Sequence, residues 1–150
     1  MGDGIEDGRS ELEDGSWERG RVKLPAMSMT FENLEAWQKA RQTVREIYNL
    51  TRSARLRSDF GLCGQIQRAC VSTMSNVAEG FERLHLPEKL QFYNIARGST
   101  AEVRSLLYVI EDNYPERAEA IARLRQEVVA VGRLITGLLA STTRRKTANP

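Results

Sequence analysis

From residue 31 onward, apolar positions recur at intervals of three and four, the signature of helices with one buried face. The first such run extends from about Asn33 to Ser53. Asn33 is a candidate cap, and Trp37, Ala40, Val44 and Ile47 fall on one face. The second begins near Ser58 or Asp59, either able to cap, and ends near Arg83. Its stripe is Leu62, Ile66, Ala69, Thr73, Val77 and Gly80. Pro87 suits the first turn of a third helix, whose stripe is Phe92, Ala96, Ser99, Val103, Leu106 and Ile110. Pro115 opens a fourth, with Ile121, Leu124, Val128, Val131, Ile135 and Leu138 in heptad spacing. No segment keeps a strand-like period of two over a useful length. The joins are short, which favours antiparallel neighbours. The pattern predicts an all-α protein, an up-down-up-down antiparallel four-helix bundle.

The bundle is expected over residues 29–140. Residues 1–28 form an acidic, glycine-rich leader with few large apolar side chains, too few to offset the entropy of ordering, so disorder is expected. Residues 141–150, with Arg144, Arg145 and Lys146, are expected to fray as a basic flexible tail. The leader carries seven acids and four bases, a net −3, although the whole chain is +2, so the remainder carries +5. A basic body permits nucleic-acid binding.

No run of about eighteen apolar residues suggests a membrane span, and the N-terminus lacks a secretory pattern. Cys63 and Cys70 would lie about 10 Å apart along one helix, too far for a disulfide, and read as small buried core residues. A reducing, cytoplasmic setting fits.

The second helix is unusual. "CVSTMSNVAEGFER", residues 70–83, spends many positions on Ser72, Thr73, Ser75, Asn76 and Gly80, all weaker helix formers than alanine. Small side chains let a neighbouring helix approach, and hydroxyl or amide groups can bond across the gap. Gly80 beside Phe81 suggests such a close contact. A polar row, Gln65, Arg68, Ser72, Asn76, Glu79 and Arg83, follows helical spacing; it is either a solvated face or a hydrogen-bonded seam.

Chemistry is otherwise sparse. Gly61 and Gly64 lack the rest of a phosphate-binding loop. His85 is the one histidine and has no metal-ligand spacing around it. Glu79 and Glu102 read better as bonds between the second and third helices than as an acid–base pair. The expectation is a protein that is no enzyme and uses no cofactor or metal. The alternative to an inert surface is basic. Arg41, Arg45, Arg52 and Arg55 follow near-helical spacing, and Arg68 and Lys89 lie on neighbouring helices. Arginine suits two-point phosphate contact. These residues, with Arg144, Arg145 and Lys146, are the candidate nucleic-acid contacts. Tyr93, Thr100, Leu107 and Tyr114 make a second heptad row on the third helix. That row fits either a well-filled monomer core or a subunit interface.

"FENLEAWQKARQTVREIYNLT" (31–51), "FGLCGQIQRACVSTMSNVAEGFER" (60–83) and "FYNIARGSTAEVRSLL" (92–107) resemble the four-helix bundle protein family that includes proteins encoded in intervening sequences of bacterial 23S ribosomal RNA genes. The resemblance rests on Phe31, Leu34, Trp37 to Ala40, Gly61-Leu62, Gln65-Ile66, Ser75-Asn76, Ala78-Glu79-Gly80, Gly98-Ser99 and Glu102. It implies structural roles for Trp37, Asn76, Glu79, Gly80, Gly98, Ser99 and Glu102, and a ring-like homopentamer. A more distant likeness, to the accessory variability protein of diversity-generating retroelements, implies a reverse transcriptase and RNA or DNA as partners. A second reading is an interaction scaffold that binds no nucleic acid. The family's proline is replaced here by Met74, which implies a straighter second helix.

Overall fold

The computed structural model describes residues 29–147, with side chains through Arg144. Every long element is helical, and there is no strand among the described residues. A 3-10 turn at Phe31–Asn33 leads into α1 (Glu35–Thr51). A second, Leu56–Ser58, precedes α2 (Phe60–Glu82); α3 spans Leu86–Asn113; a third, Pro115–Arg117, precedes α4 (Ala118–Thr147). The expected leader lies outside the described residues. α4 continues as helix to Thr147, into the segment expected to fray, whose last three residues lie outside the described residues.

Two of the caps follow the sequence closely. Asp59 Oδ1 accepts from the Leu62 N–H at 3.1 Å and starts α2. Its other oxygen accepts the Tyr114 hydroxyl at 3.1 Å, tying the start of α2 to the end of α3. Pro87 lies in the first turn of α3, where its missing N–H costs nothing. Asn33 behaves differently from expectation. It accepts from the Thr30 backbone N–H at 3.0 Å and closes the turn before α1, while Leu34 stands at the cap position without a side-chain bond. α2 runs unbroken through Met74.

α1 packs on α2 and α4, α2 on α3, and α3 on α4. Two clusters fill the interior. One gathers Ile47, Leu50, Leu56, Ile66, Leu107, Ile110 and Ile121. The other gathers Leu34, Ala40, Val77, Ala96, Val131 and Ile135. The α4 stripe is buried as its spacing predicts, with Leu138 only half-buried. On α3 the buried row is Tyr93, Ala96, Thr100, Val103, Leu107 and Ile110. Tyr93, Thr100 and Leu107, the row open between core and interface, therefore belong to the core. Phe92, Ser99 and Leu106 sit half-buried at its edge. On α1 the buried face is turned toward Ala36, Thr43 and Leu50, leaving Trp37 and Val44 half-buried. Cys63 and Cys70 are free and buried. No described helix is long and apolar enough to cross a membrane.

Candidate nucleic-acid interface

The small residues of α2 meet α3 along a polar seam. Ser72 Oγ and Ser99 Oγ are 2.8 Å apart, bridging the two helices. Asn76 Nδ2 donates to the Ser72 carbonyl at 2.7 Å and to its hydroxyl at 3.1 Å. Gln65 Nε2 donates to Glu102 Oε1 at 2.6 Å, so Glu102 links α2 to α3 as expected. Glu79 does not. It is exposed and pairs at 3.5 Å with Arg83, one turn along its own helix. An acid–base pair of Glu79 and Glu102 finds no support in that arrangement.

Gly80 makes the close contact that the sequence suggests. A methyl group there would stand 2.6 Å from Tyr93 Cε1 and 3.2 Å from Phe92 Cβ. Gly98 is different: no described residue outside its own turn lies within 4 Å of the same test position, so no contact among the described residues requires glycine. Trp37 is half-buried and packs edge-to-face on Phe31, with centroids 5.2 Å apart.

The expected cationic contacts stand in different settings. Arg41 and Arg45 of α1, and Arg52 just past its end, are exposed and form no ion pair with a described residue. Arg41 lies over the Trp37 ring at 5.6 Å. Together with Trp37, Gln38, Gln42 and the acidic Glu46, Arg41 and Arg45 line a shallow polar cleft on this helix. Arg55 is committed elsewhere, paired with Glu116 at 3.1 Å and set over the Tyr114 ring. Arg68 is exposed but lies back along α2, donating to Gln65 at 3.1 Å. Arg144 is exposed near the end of α4, and the side chains of Arg145 and Lys146 lie outside the described residues.

Lys89 is not a free surface cation. Its ammonium donates to the Phe81 carbonyl at 2.5 Å and approaches the Gly80 carbonyl at 3.4 Å. These are among the last carbonyls of α2, which lack partners within the helix and favour a positive charge. The ammonium also lies over the Phe81 ring at 5.6 Å. Lys89 thus joins the start of α3 to the end of α2. Lys89→Met is expected to cost about 1–3 kcal/mol of stability and to leave nucleic-acid affinity unchanged. Chemical denaturation beside a binding titration checks both.

One basic feature is not apparent from the chain alone. Arg97 and Arg104 of α3 and Arg133 of α4 line a common groove. Arg97 and Arg104 stand two turns apart on α3, and only the packing of α4 against α3 brings Arg133 beside them. Among the described residues there is no cluster of histidine, cysteine and carboxylate side chains able to hold a metal.

The four-helix, all-α fold, the polar α2–α3 seam and the arginine-bearing exterior define a helical protein whose distinctive chemistry is on its surfaces. Residues 32–137 match the 23S rRNA-intervening sequence protein family, and the chain belongs to that family. No curated protein matches the chain.

Proposed function

We propose that this protein is a cytoplasmic, non-enzymatic nucleic-acid-binding accessory protein. It acts as a homo-oligomer, most simply a ring-like pentamer of up-down-up-down bundles, and serves a reverse transcriptase in the manner of a retroelement accessory protein. The observation that carries the reading is the α1 face. Arg41 and Arg45, with Arg52 just past the helix end, are exposed there without a carboxylate partner among the described residues, on a body with net charge +5. Unpaired guanidinium groups have no ion pair to break on meeting phosphate. Repetition around a ring would sum weak contacts.

The test is titration of single-stranded and duplex RNA and DNA at several salt concentrations, with sedimentation giving the assembly size. Replacing Arg41, Arg45 and Arg52 together with glutamine should preserve the fold and weaken binding similarly across sequences. The salt slope should fall by roughly one unit for each phosphate that is no longer neutralised. A wild-type protein that binds nothing at low salt overturns the reading.

A second reading, a protein-interaction scaffold of the ribosomal RNA intervening-sequence type, is favoured by the exposed apolar side chains on the outside of α2 and α3. Val71, Ile95 and Val109 are 36%, 44% and 42% accessible. A partner docking there would be held with little salt dependence.

A further inference from the structure

The groove between α3 and α4 differs from the rest of the surface in how its charges are left. Arg97, Arg104 and Arg133 are exposed, line it from both helices, and form no ion pair with a described residue. No acidic side chain lines it. By contrast, Arg55, Arg83 and Arg125 each hold a carboxylate. The floor is small: Ala101 and Gly132 lie between the arginines, and a methyl group at Gly132 would be 3.5 Å from Thr100 Cγ2. A chain lying in the groove could therefore approach the helix backbones closely. Arg97 and Arg104 are seven residues apart, about 10 Å along α3, so the positive charge is a line rather than a point.

An aromatic ring stands at one end of that line. Tyr108 is one turn beyond Arg104 and 52% accessible. The Arg125 guanidinium lies 4.4 Å from its centroid and is itself held by Glu111, a bridge from α4 to α3. One tyrosine face is thus covered by a paired arginine, and the rest of the side chain is exposed. A positive groove with an aromatic platform is the arrangement that takes unpaired bases, whose faces are free to stack; duplex bases are already stacked on one another.

We propose that the α3–α4 groove binds single-stranded nucleic acid, with Arg97, Arg104 and Arg133 contacting phosphates and Tyr108 stacking on a base. This deepens the proposed function by naming its substrate form, and it rests on that reading. It adds a site separate from the α1 face. Phosphate contacts alone do not read sequence, so the groove tolerates any strand that offers an unstacked base.

The experiment uses the full chain and fluorescence anisotropy with labelled oligothymidylate, oligouridylate and a duplex of equal length. Inorganic polyphosphate serves as competitor. The triple variant Arg97→Gln, Arg104→Gln, Arg133→Gln is expected to weaken single-strand binding at least tenfold at low salt and to lower the salt slope by about two units. Tyr108→Ala is expected to weaken single-strand binding roughly five- to hundredfold, with duplex binding and polyphosphate competition unchanged. All these positions are exposed, and circular dichroism verifies that the helices persist. If both groove variants bind as tightly as wild type while the α1 triple variant does not, the groove is overturned and the α1 reading stands. If the groove triple loses binding and the α1 triple keeps it, the groove stands alone. Equal loss of duplex and single strand in Tyr108→Ala overturns the single-strand assignment. No binding by wild type at low salt overturns both sites.

Discussion

Gly80→Leu will lower stability by about 1–3 kcal/mol or more, a fall in melting temperature of roughly 3–10 °C. Position 80 faces the ring of Tyr93, which is 2% accessible. A single methyl group would already stand 2.6 Å from one ring carbon and 2.7 Å from another, well inside van der Waals contact. A leucine must separate α2 from α3 or distort the buried tyrosine. Even Gly80→Ala is expected to destabilise, although alanine is the better helix former by about 1 kcal/mol. A double-mutant cycle with Tyr93→Val isolates the cause. Removing the ring relieves the clash, so the two losses should sum to more than the double variant shows. An unchanged melting temperature for Gly80→Leu would refute the close contact.

The second large effect is a fall in stability at alkaline pH. Burial pushes the Cys70 thiol up from 9.0 to about 11. Burial also raises Cys63, with the charge of Asp59 acting in the same direction. Below pH 9 the Cys70 thiol is protonated in both the folded and the unfolded chain, and its contribution is fully present. Between about 9 and 11 the unfolded chain releases a proton that the folded core retains, so stability falls as pH rises. Two pKa units correspond to about 2–3 kcal/mol when the window has been crossed. Urea unfolding at pH 8, 9 and 10 should show the decline, and Cys70→Ala should flatten it. Parallel pH slopes for the two proteins would remove Cys70 as the cause. Because the thiol form dominates at neutral pH, Cys70 should also resist alkylation until the protein unfolds.

What could be read from the chain depended on how local the signal was. The α4 stripe was legible because Ile121, Leu124, Val128, Val131 and Ile135 repeat at heptad spacing and are all buried. Asp59 was legible as a cap because an N-cap bond spans only three residues. On α3 two adjacent rows were both rich in apolar side chains, and periodicity alone could not say which faced inward. The answer came from tertiary packing: Tyr93 fills the space left by Gly80, which turns its row into the core. Lys89 reads as a surface cation for the same reason. Its partners are carbonyls of another helix, and nothing in its own neighbourhood in sequence marks them. Among the proposed contacts, exposure of Arg41 and Arg45 followed from helical spacing on α1, and Arg52 is exposed just past its end. The pairing of Arg55 with Glu116 joins the α1–α2 connection to the turn before α4, beyond the reach of any local pattern.

The Ser72–Ser99 bridge also limits how α2 and α3 can slide past one another. Hydrophobic packing is tolerant of axial displacement, since a one-turn shift of about 5.4 Å still sets apolar side chains against apolar side chains. Hydroxyl pairing is not. Moving α3 by a turn in either direction would bring Ile95 or Val103 to the level of Ser72. Ser72 and Ser99, both half-buried, would be parted, and loss of the hydrogen bond between them would cost about 0.5–1.5 kcal/mol. Residues that weaken α2 as a helix thereby set its register, and misaligned pairings of this helical hairpin lose the competition during folding.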